Sequence, residues 1–295
     1  MIFSRGMKTL NDYLQETFGC KVYKIALNGG FTCPNRDGTL DDRGCIFCSA
    51  GGSGEFAADP AKSITQQIED GKRLVRNKIR NGKYIAYFQA YTGTYGEPER
   101  LRSLYGEAIA HDEIVALSIA TRPDCLSDEV LSILTECNTV KPVWVELGLQ
   151  TIHEKSADYI RRGYDLCVYD AAVKALRERG IEVITHVILG LPGETAEEMV
   201  ETVKYVCGSG ATGIKLQLLH ILKGTDLEKE YRAGRVEVLS EDAYIEILKA
   251  CVSVIPDHVV VHRLTGDGDK RILVAPLWSG NKKHVRNRIQ KEVLS

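Results

Sequence analysis

Six short runs of β-branched, aliphatic and aromatic residues recur along the chain. They begin near Val22 (VYKIAL), Tyr84 (YIAYFQ), Ile114 (IVALSIA), Val143 (VWVELGL), Glu182 (EVITHVIL) and Gly213 (GIKLQLL). Between them, apolar residues return every three or four positions in SITQQIEDGKRLVRNKI, SDEVLSILTEC, VYDAAVKALRERG, TAEEMVETVKYVCG and SEDAYIEILKACVSVI. That is the period of a helix with one buried face. Ser127 ahead of Asp128 and Glu129, and Thr195 ahead of Glu197 and Glu198, mark two helix starts by capping and by acids at the positive dipole end. Gly180 after RER is a stop signal. After a first gap of about 62 residues the runs start every 29 to 39 residues. The pattern predicts an α/β chain whose parallel sheet is covered by helices and curled into a full or partial barrel. Loops that follow the strands then build the working face.

Composition changes this picture little. The 295 residues are 44% hydrophobic and 26% charged, ordinary for a chain with a sizeable core. No apolar run approaches the roughly 18 to 20 residues needed to span a bilayer. The opening MIFSRGMKTLNDYLQE lacks a signal-peptide pattern. Nine cysteines are too few, and odd in number, for a disulfide scaffold, so a reducing, cytoplasmic setting is expected.

Charge is more informative, because a net charge of −2 hides an asymmetry. Residues 72–83 (KRLVRNKIRNGK) carry six basic side chains and no acid, and residues 257–295 carry eight against four acids. The rest of the chain is therefore at −12. Either cluster could meet a polyanion; segment 72–83 could equally be the solvated face of a helix.

The cysteines carry the chemistry. Cys33, Cys45 and Cys48 lie in CPNRDGTLDDRGCIFC, spaced C-x11-C-x2-C, directly after the first predicted strand and so at the barrel mouth. No histidine or further cysteine is near in sequence, since Cys20, Cys125 and His111 are the nearest. Three thiolates leave one metal position open, the mark of a reactive rather than a structural site. An iron–sulfur cluster, zinc, or unrelated thiols all satisfy the spacing, with the cluster favoured by ligation through thiolates alone. Cys20, Cys125, Cys137, Cys167, Cys207 and Cys251 read as small buried hydrophobes.

The surrounding words settle on a family. NGGFTCPNRDG, GCIFCSAGGSGEFA, YFQAYTGTYG, ATRPDCLS, VELGLQTIHEKSADYIRRGYD, HVILGLPGET, HRLTGD and APLWSGNKK together resemble the radical S-adenosylmethionine (SAM) superfamily. The likeness is to its "Fe–S oxidoreductase" branch, related to the Elongator catalytic subunit type. The usual cysteine spacing there is C-x3-C-x2-C, so the longer first gap narrows the branch.

The resemblance implies a partial (β/α)6 TIM-like barrel over 21–256, a helical lead-in over 1–20 and a basic C-terminal extension over 257–295 packed on the barrel. It implies that Cys33, Cys45 and Cys48 hold a [4Fe–4S] cluster whose fourth iron binds SAM. Reductive cleavage of SAM to a 5′-deoxyadenosyl radical would follow. Phe47 matches an aromatic that packs on adenine, and Gln89 and Thr92 stand where relatives contact the SAM amino group. Glu146 matches a ribose contact, Arg162 a carboxylate partner, and Gly190, Leu191, Gly193 and Glu194 the segment behind the adenine. Each has a plainer reading: Glu146 as an ion-paired strand residue, Arg162 as a surface helix arginine, the glycines as a tight turn and His186 as a core histidine. The same kinship implies a tRNA substrate gripped by 72–83 and 257–295, with a wobble-uridine side chain taken from carboxymethylaminomethyl towards aminomethyl. A one-electron donor such as flavodoxin or ferredoxin is also implied. A small metabolite as substrate, or a non-enzymatic iron–sulfur protein, are the competing readings.

Overall fold

The computed structural model describes residues 7–79, 82–266 and 268–294. Its strands are β1 (Val22–Leu27), β2 (Lys83–Phe88), β3 (Ile114–Thr121), β4 (Val143–Gln150), β5 (Glu182–Leu189), β6 (Gly213–Leu218), β7 (Ile221–Leu222), β8 (Val260–Arg263) and β9 (Leu273–Ala275). Its α-helices are α1 (Leu10–Phe18), α2 (Ile64–Val75), α3 (Pro98–Ala110), α4 (Asp128–Val140), α5 (Glu154–Tyr159), α6 (Leu166–Glu178), α7 (Ala196–Gly208), α8 (Asp226–Arg232), α9 (Glu241–Ser253) and α10 (Lys282–Glu292).

The six expected strands form one parallel sheet in chain order, and β8 pairs parallel with β6 to make a seventh. The sheet curls into a half-barrel. Part of segment 257–295 thus belongs to the wall of the sheet. Val260–Arg263 is too short a run to stand out by periodicity, and the parallel edge of β6 supplies the partner that makes it a strand.

The wall has two faces. Outward residues such as Ile25, Leu27, Phe88, Leu117, Val145 and Leu216 bury against the helical layer. The inward residues nearest the N-terminal ends, Val22, Ile85, Ala116, Trp144 and Ile184, form a separate apolar cluster with Leu14, and Leu10 and Tyr13 pack on it. Helix α1 therefore plugs the floor of the half-barrel. It starts with a reciprocal capping box between Thr9 and Asp12, and Tyr13 meets Trp144 edge-on at 5.7 Å. Just before it, Thr9 bridges to Val261, and the Val261 amide donates to the Lys8 carbonyl at 2.9 Å. That contact ties the lead-in to the last strand of the sheet.

The described residues of the basic stretch 72–83 sit at the end of α2 and the start of β2, at the N-terminal end of the sheet. Lys72 pairs with Glu69 at 2.8 Å and with Glu113, and Arg73 pairs with Asp70. Arg80, one of its six cations, lies outside the described residues. A helix that returns the chain to the start of the next parallel strand must end there, away from the loops that follow the strands.

Candidate active site

The loop after β1 is built from its own turns. The Cys33 carbonyl accepts from the amides of Arg36 (2.8 Å) and Asp37 (3.2 Å), and the Cys48 amide donates to the Cys45 carbonyl at 2.9 Å. Buried Asn35 donates from Nδ2 to the Arg161 carbonyl at 2.8 Å and to Cys45 Sγ at 3.5 Å. The Arg36 guanidinium donates to the carbonyls of Cys48 (2.7 Å) and Ser49 (2.6 Å). Gln89 Nε2 donates to the Ser53 carbonyl at 2.9 Å, and the Tyr91 hydroxyl to the Ala50 carbonyl at 2.6 Å. Ile46, between two of the cysteines, packs with Ile160, Ile188, Leu219, Ile221 and Leu227, with Phe47 alongside.

Cys33, Cys45 and Cys48 line one cavity of about 410 Å³ at the C-terminal end of the sheet, with Phe47, Gln89, Thr92, Glu146 and Arg162 also in its wall. That volume suits a ligand of cofactor size. Cations dominate its lining, with Arg36, Arg122, Arg162, Lys215 and Arg263 against Glu55, Glu146 and Asp269. Burial first, and Cys48 second, push the Cys45 thiol up to about 12. Burial likewise raises Cys48, with Arg36 opposing it. Thiols in such a place ionise when a metal compensates their charge.

The donor set also separates zinc from a cluster. Among the described residues, the only trio of His, Cys, Asp or Glu ligand atoms lying within 4.8 Å of one another is Glu69, His111 and Glu113. The three sulfurs are spread wider than a single zinc would draw them, at Zn–S of about 2.3 Å. A multi-iron cluster gives each thiolate its own iron, so the three residues fit it better.

Other expected residues sit in the cavity wall or in the turn beside it. Arg162 is 2% exposed, so it is no surface arginine. Its guanidinium donates to the carbonyls of Thr151 (2.7 Å) and Tyr164 (2.9 Å) and pairs with Glu154 at 3.3 Å. Gly190, at φ +87°, Leu191 and Gly193, at φ +85°, shape the turn from β5 to α7; Ile188 below them lines the cavity at this strand. An ordinary side chain at Gly190 would be strained and would press on Leu239 at 2.9 Å. Glu194 accepts from Thr151 Oγ1 at 2.6 Å, and burial raises its pKa.

Glu146 holds the largest surprise. Its carboxylate accepts from Ser118 Oγ (2.7 Å), His186 Nε2 (2.7 Å) and the ammonium groups of Lys24 and Lys215. Lys24 also lies over the rings of Tyr87 (4.7 Å) and Trp144 (5.2 Å). A charged layer thus crosses the half-barrel between the apolar floor and the cysteine mouth, one residue each from β1, β3, β4, β5 and β6. Burial would raise Glu146, but Lys215 and Lys24 outweigh it and hold the carboxylate well below its usual range. Burial, then Lys215, lowers His186 to about 4, leaving it neutral, with Nε2–H on Glu146 and Nδ1 facing the Gln217 amide at 3.2 Å. Burial lowers Lys215 to about 7 against the pull of Glu146. Lys24 and Lys215 are residues that sequence reasoning missed, although each interrupts an apolar strand at its centre.

A half-barrel with thiols on the loop after its first strand defines a class, and the comparisons agree. The chain belongs to the Radical SAM superfamily, which residues 33–206 match, and residues 211–294 match the Radical_SAM C-terminal domain. The family uses a [4Fe–4S] cluster together with SAM. The chain is 48% identical to the protein YtqA of Bacillus subtilis (strain 168), over 97% of this chain and 88% of that one. It is 26% identical to the tRNA uridine(34) acetyltransferase of Methanocaldococcus jannaschii, over 58% of this chain and 32% of that one. Among solved structures, the archaeal Methanocaldococcus infernus Elp3 lacking its N-terminus shares the fold, with a TM-score of 0.69 at 18% identity, covering 93% of this chain and 64% of that one. Among the described residues, no helix is long and apolar enough to cross a membrane.

Proposed function

We propose that this chain is a radical SAM enzyme that modifies the wobble uridine of tRNA, taking a carboxymethylaminomethyl side chain towards aminomethyl. The observation that carries the chemistry is the convergence of Cys33, Cys45 and Cys48 on one cationic cavity at the mouth of the family's half-barrel. Those thiols would hold the [4Fe–4S] cluster, which with SAM supplies a 5′-deoxyadenosyl radical for hydrogen abstraction. The chain's own residues do the rest. Asn35 and Arg36 fix the cysteine loop, Phe47 offers an aromatic face, Gln89 and Thr92 border the cavity beside the loop, and the walls keep water from the reacting atoms. Gly190, Leu191 and Gly193 would back the adenine from behind Ile188, Glu146 would act from the layer below, and Arg162 would set the cavity wall. Flavodoxin or ferredoxin would deliver the electron.

The RNA reading rests on two supports: the relative named for tRNA uridine(34), and the cavity rim. Phe56 lines that rim at 50% exposure, and Lys282 at the start of α10 lies 5.2 Å from its ring. An exposed aromatic under a cation suits an unpaired base and its phosphate. In this reading the start of α10 faces RNA, and the described residues of 72–83 do not.

Two measurements test it. Anaerobic reconstitution should give a cluster absorbance and 5′-deoxyadenosine, and Cys33→Ala, Cys45→Ala and Cys48→Ala should each abolish both. Persistence of either would refute the cluster assignment. Gene deletion should leave carboxymethylaminomethyluridine unprocessed in bulk tRNA, and an unchanged nucleoside profile would remove the tRNA reading.

A further inference from the structure

The charged layer has more cation than its own chemistry needs. One buried carboxylate, Glu146, faces two ammonium groups, Lys24 and Lys215, while His186 is neutral. A single lysine would neutralise Glu146, and each further buried charge carries a desolvation penalty of several kcal/mol. The two lysines are not equivalent. Lys24 lies against Ser118 and two aromatic rings, whereas Lys215 lines the cavity that holds the cysteines.

An ammonium has three N–H donors. Lys215 gives one to Glu146 and one to the Tyr87 hydroxyl at 3.4 Å, which leaves a third. Gln217, two residues further along β6, also lines the cavity, and its Nε2 bonds His186 through only one of its two hydrogens. Two donors on one strand, with a net positive charge beneath them, match the two oxygens of a carboxylate. Lys215 stands three residues below the end of β6, about 10 Å at the usual strand rise. Only a slender side chain reaches that depth; a backbone phosphate stays at the rim.

We propose that Lys215, with Gln217, forms a subsite for the carboxylate of the substrate side chain. This rests on the wobble-uridine reading for the identity of that side chain, whose carboxymethyl group would enter with its oxygens towards β6. A bound carboxylate offsets the second ammonium of the Lys24, Glu146 and Lys215 layer, beside which Arg263 also lines the cavity, and a neutral side chain of the same size does not.

Binding to the whole chain tests this without turnover. An anticodon stem-loop carrying 5-carboxymethylaminomethyluridine is compared with the same stem-loop bearing its methyl ester, for the wild type, Lys215→Met and Lys215→Arg. The wild type should prefer the free acid at least tenfold, Lys215→Arg should keep part of the preference, and Lys215→Met should bind both equally. Lys215→Met leaves Glu146 with Lys24 alone and should melt no lower than the wild type, which separates a lost subsite from a lost fold. Equal wild-type affinities, or a preference kept in Lys215→Met, would overturn the proposal while leaving the tRNA reading intact. Should neither stem-loop bind, the tRNA reading fails, and N-methylglycine decides the subsite. It should move the Lys215 13Cε resonance where N-methylglycinamide does not, and no movement overturns the proposal.

Discussion

Replacing Glu146 by Leu removes the charge and leaves a side chain of similar length and slightly larger volume. The carboxylate is fully buried, with Lys215 beside it at 7% side-chain exposure and Lys24 at 18%. Both ammonium groups would remain in the half-barrel with no counter-ion, a change that typically costs about 3–5 kcal/mol. Lys24 retains some solvent, and Lys215 can shed its proton once Glu146 no longer holds it, so the lower end, about 3 kcal/mol, is expected. At about 2 °C per kcal/mol for a chain of this size, the midpoint should drop by about 6 °C. Urea titration and thermal melting of the metal-free protein measure it directly. Glu146→Leu combined with Lys215→Met should recover most of the loss, because the second change removes the more deeply buried orphan charge. A single-variant loss below about 1 kcal/mol, or a double variant no better than the single, would refute the account of the layer.

The remaining predictions concern pH and the cysteine loop. His186 is held near 4 in the folded state, so the unfolded chain binds more protons between pH 6.5 and 4, and stability should fall as pH drops through that window. Lys215 is lowered to about 7, so the same linkage makes stability rise from pH 7 towards 10; Lys215→Met should flatten that rise in urea melts taken across the range. A side chain at Gly54 would place its Cβ 2.6 Å from that of Ala90 and 3.0 Å from Ala90 Cα, so Gly54→Ala should push the cysteine loop off the end of β2. It should cost about 1–3 kcal/mol and lower the iron bound per chain after reconstitution. Arg36→Met frees the carbonyls of Cys48 and Ser49 and should cost about 1–2 kcal/mol, with faster loss of iron to a chelator.

The strands were legible because each is a buried run bounded by turns, and their spacing alone placed the cysteines at the mouth. What escaped depended on partners far apart in the chain. Lys24 and Glu146 are separated by 122 positions, and nothing local announces that they meet. A regularity was nonetheless available: Lys24, Ser118, Glu146, His186 and Lys215 are each a polar residue near the middle of an apolar run, with Thr185 and Gln217 as further polar residues in two of those runs. In a curled parallel sheet such residues share one level of the interior. Arg162 was singled out as a candidate, but its burial escaped for the opposite reason, because an RRG after a short helix looks solvent-facing until Tyr164 and Glu154 fold over it. The basic stretch 72–83 could have been discounted in advance, since a βα unit sends the end of its helix to the far side of the sheet.

The grip on Ile46 bears on when the cysteine segment is held in place during synthesis. Its amide donates to the Ile160 carbonyl, and its carbonyl accepts from the Leu227 amide at 3.0 Å. Leu227 leaves the ribosome 181 positions after Ile46. At about 5–20 residues per second, that interval is roughly ten to forty seconds. Throughout it, the segment that carries Cys45 and Cys48 lacks one of the two backbone contacts that hold Ile46. The segment from Cys45 to Cys48 is thus held on both sides of Ile46 only once α8 docks, late in synthesis.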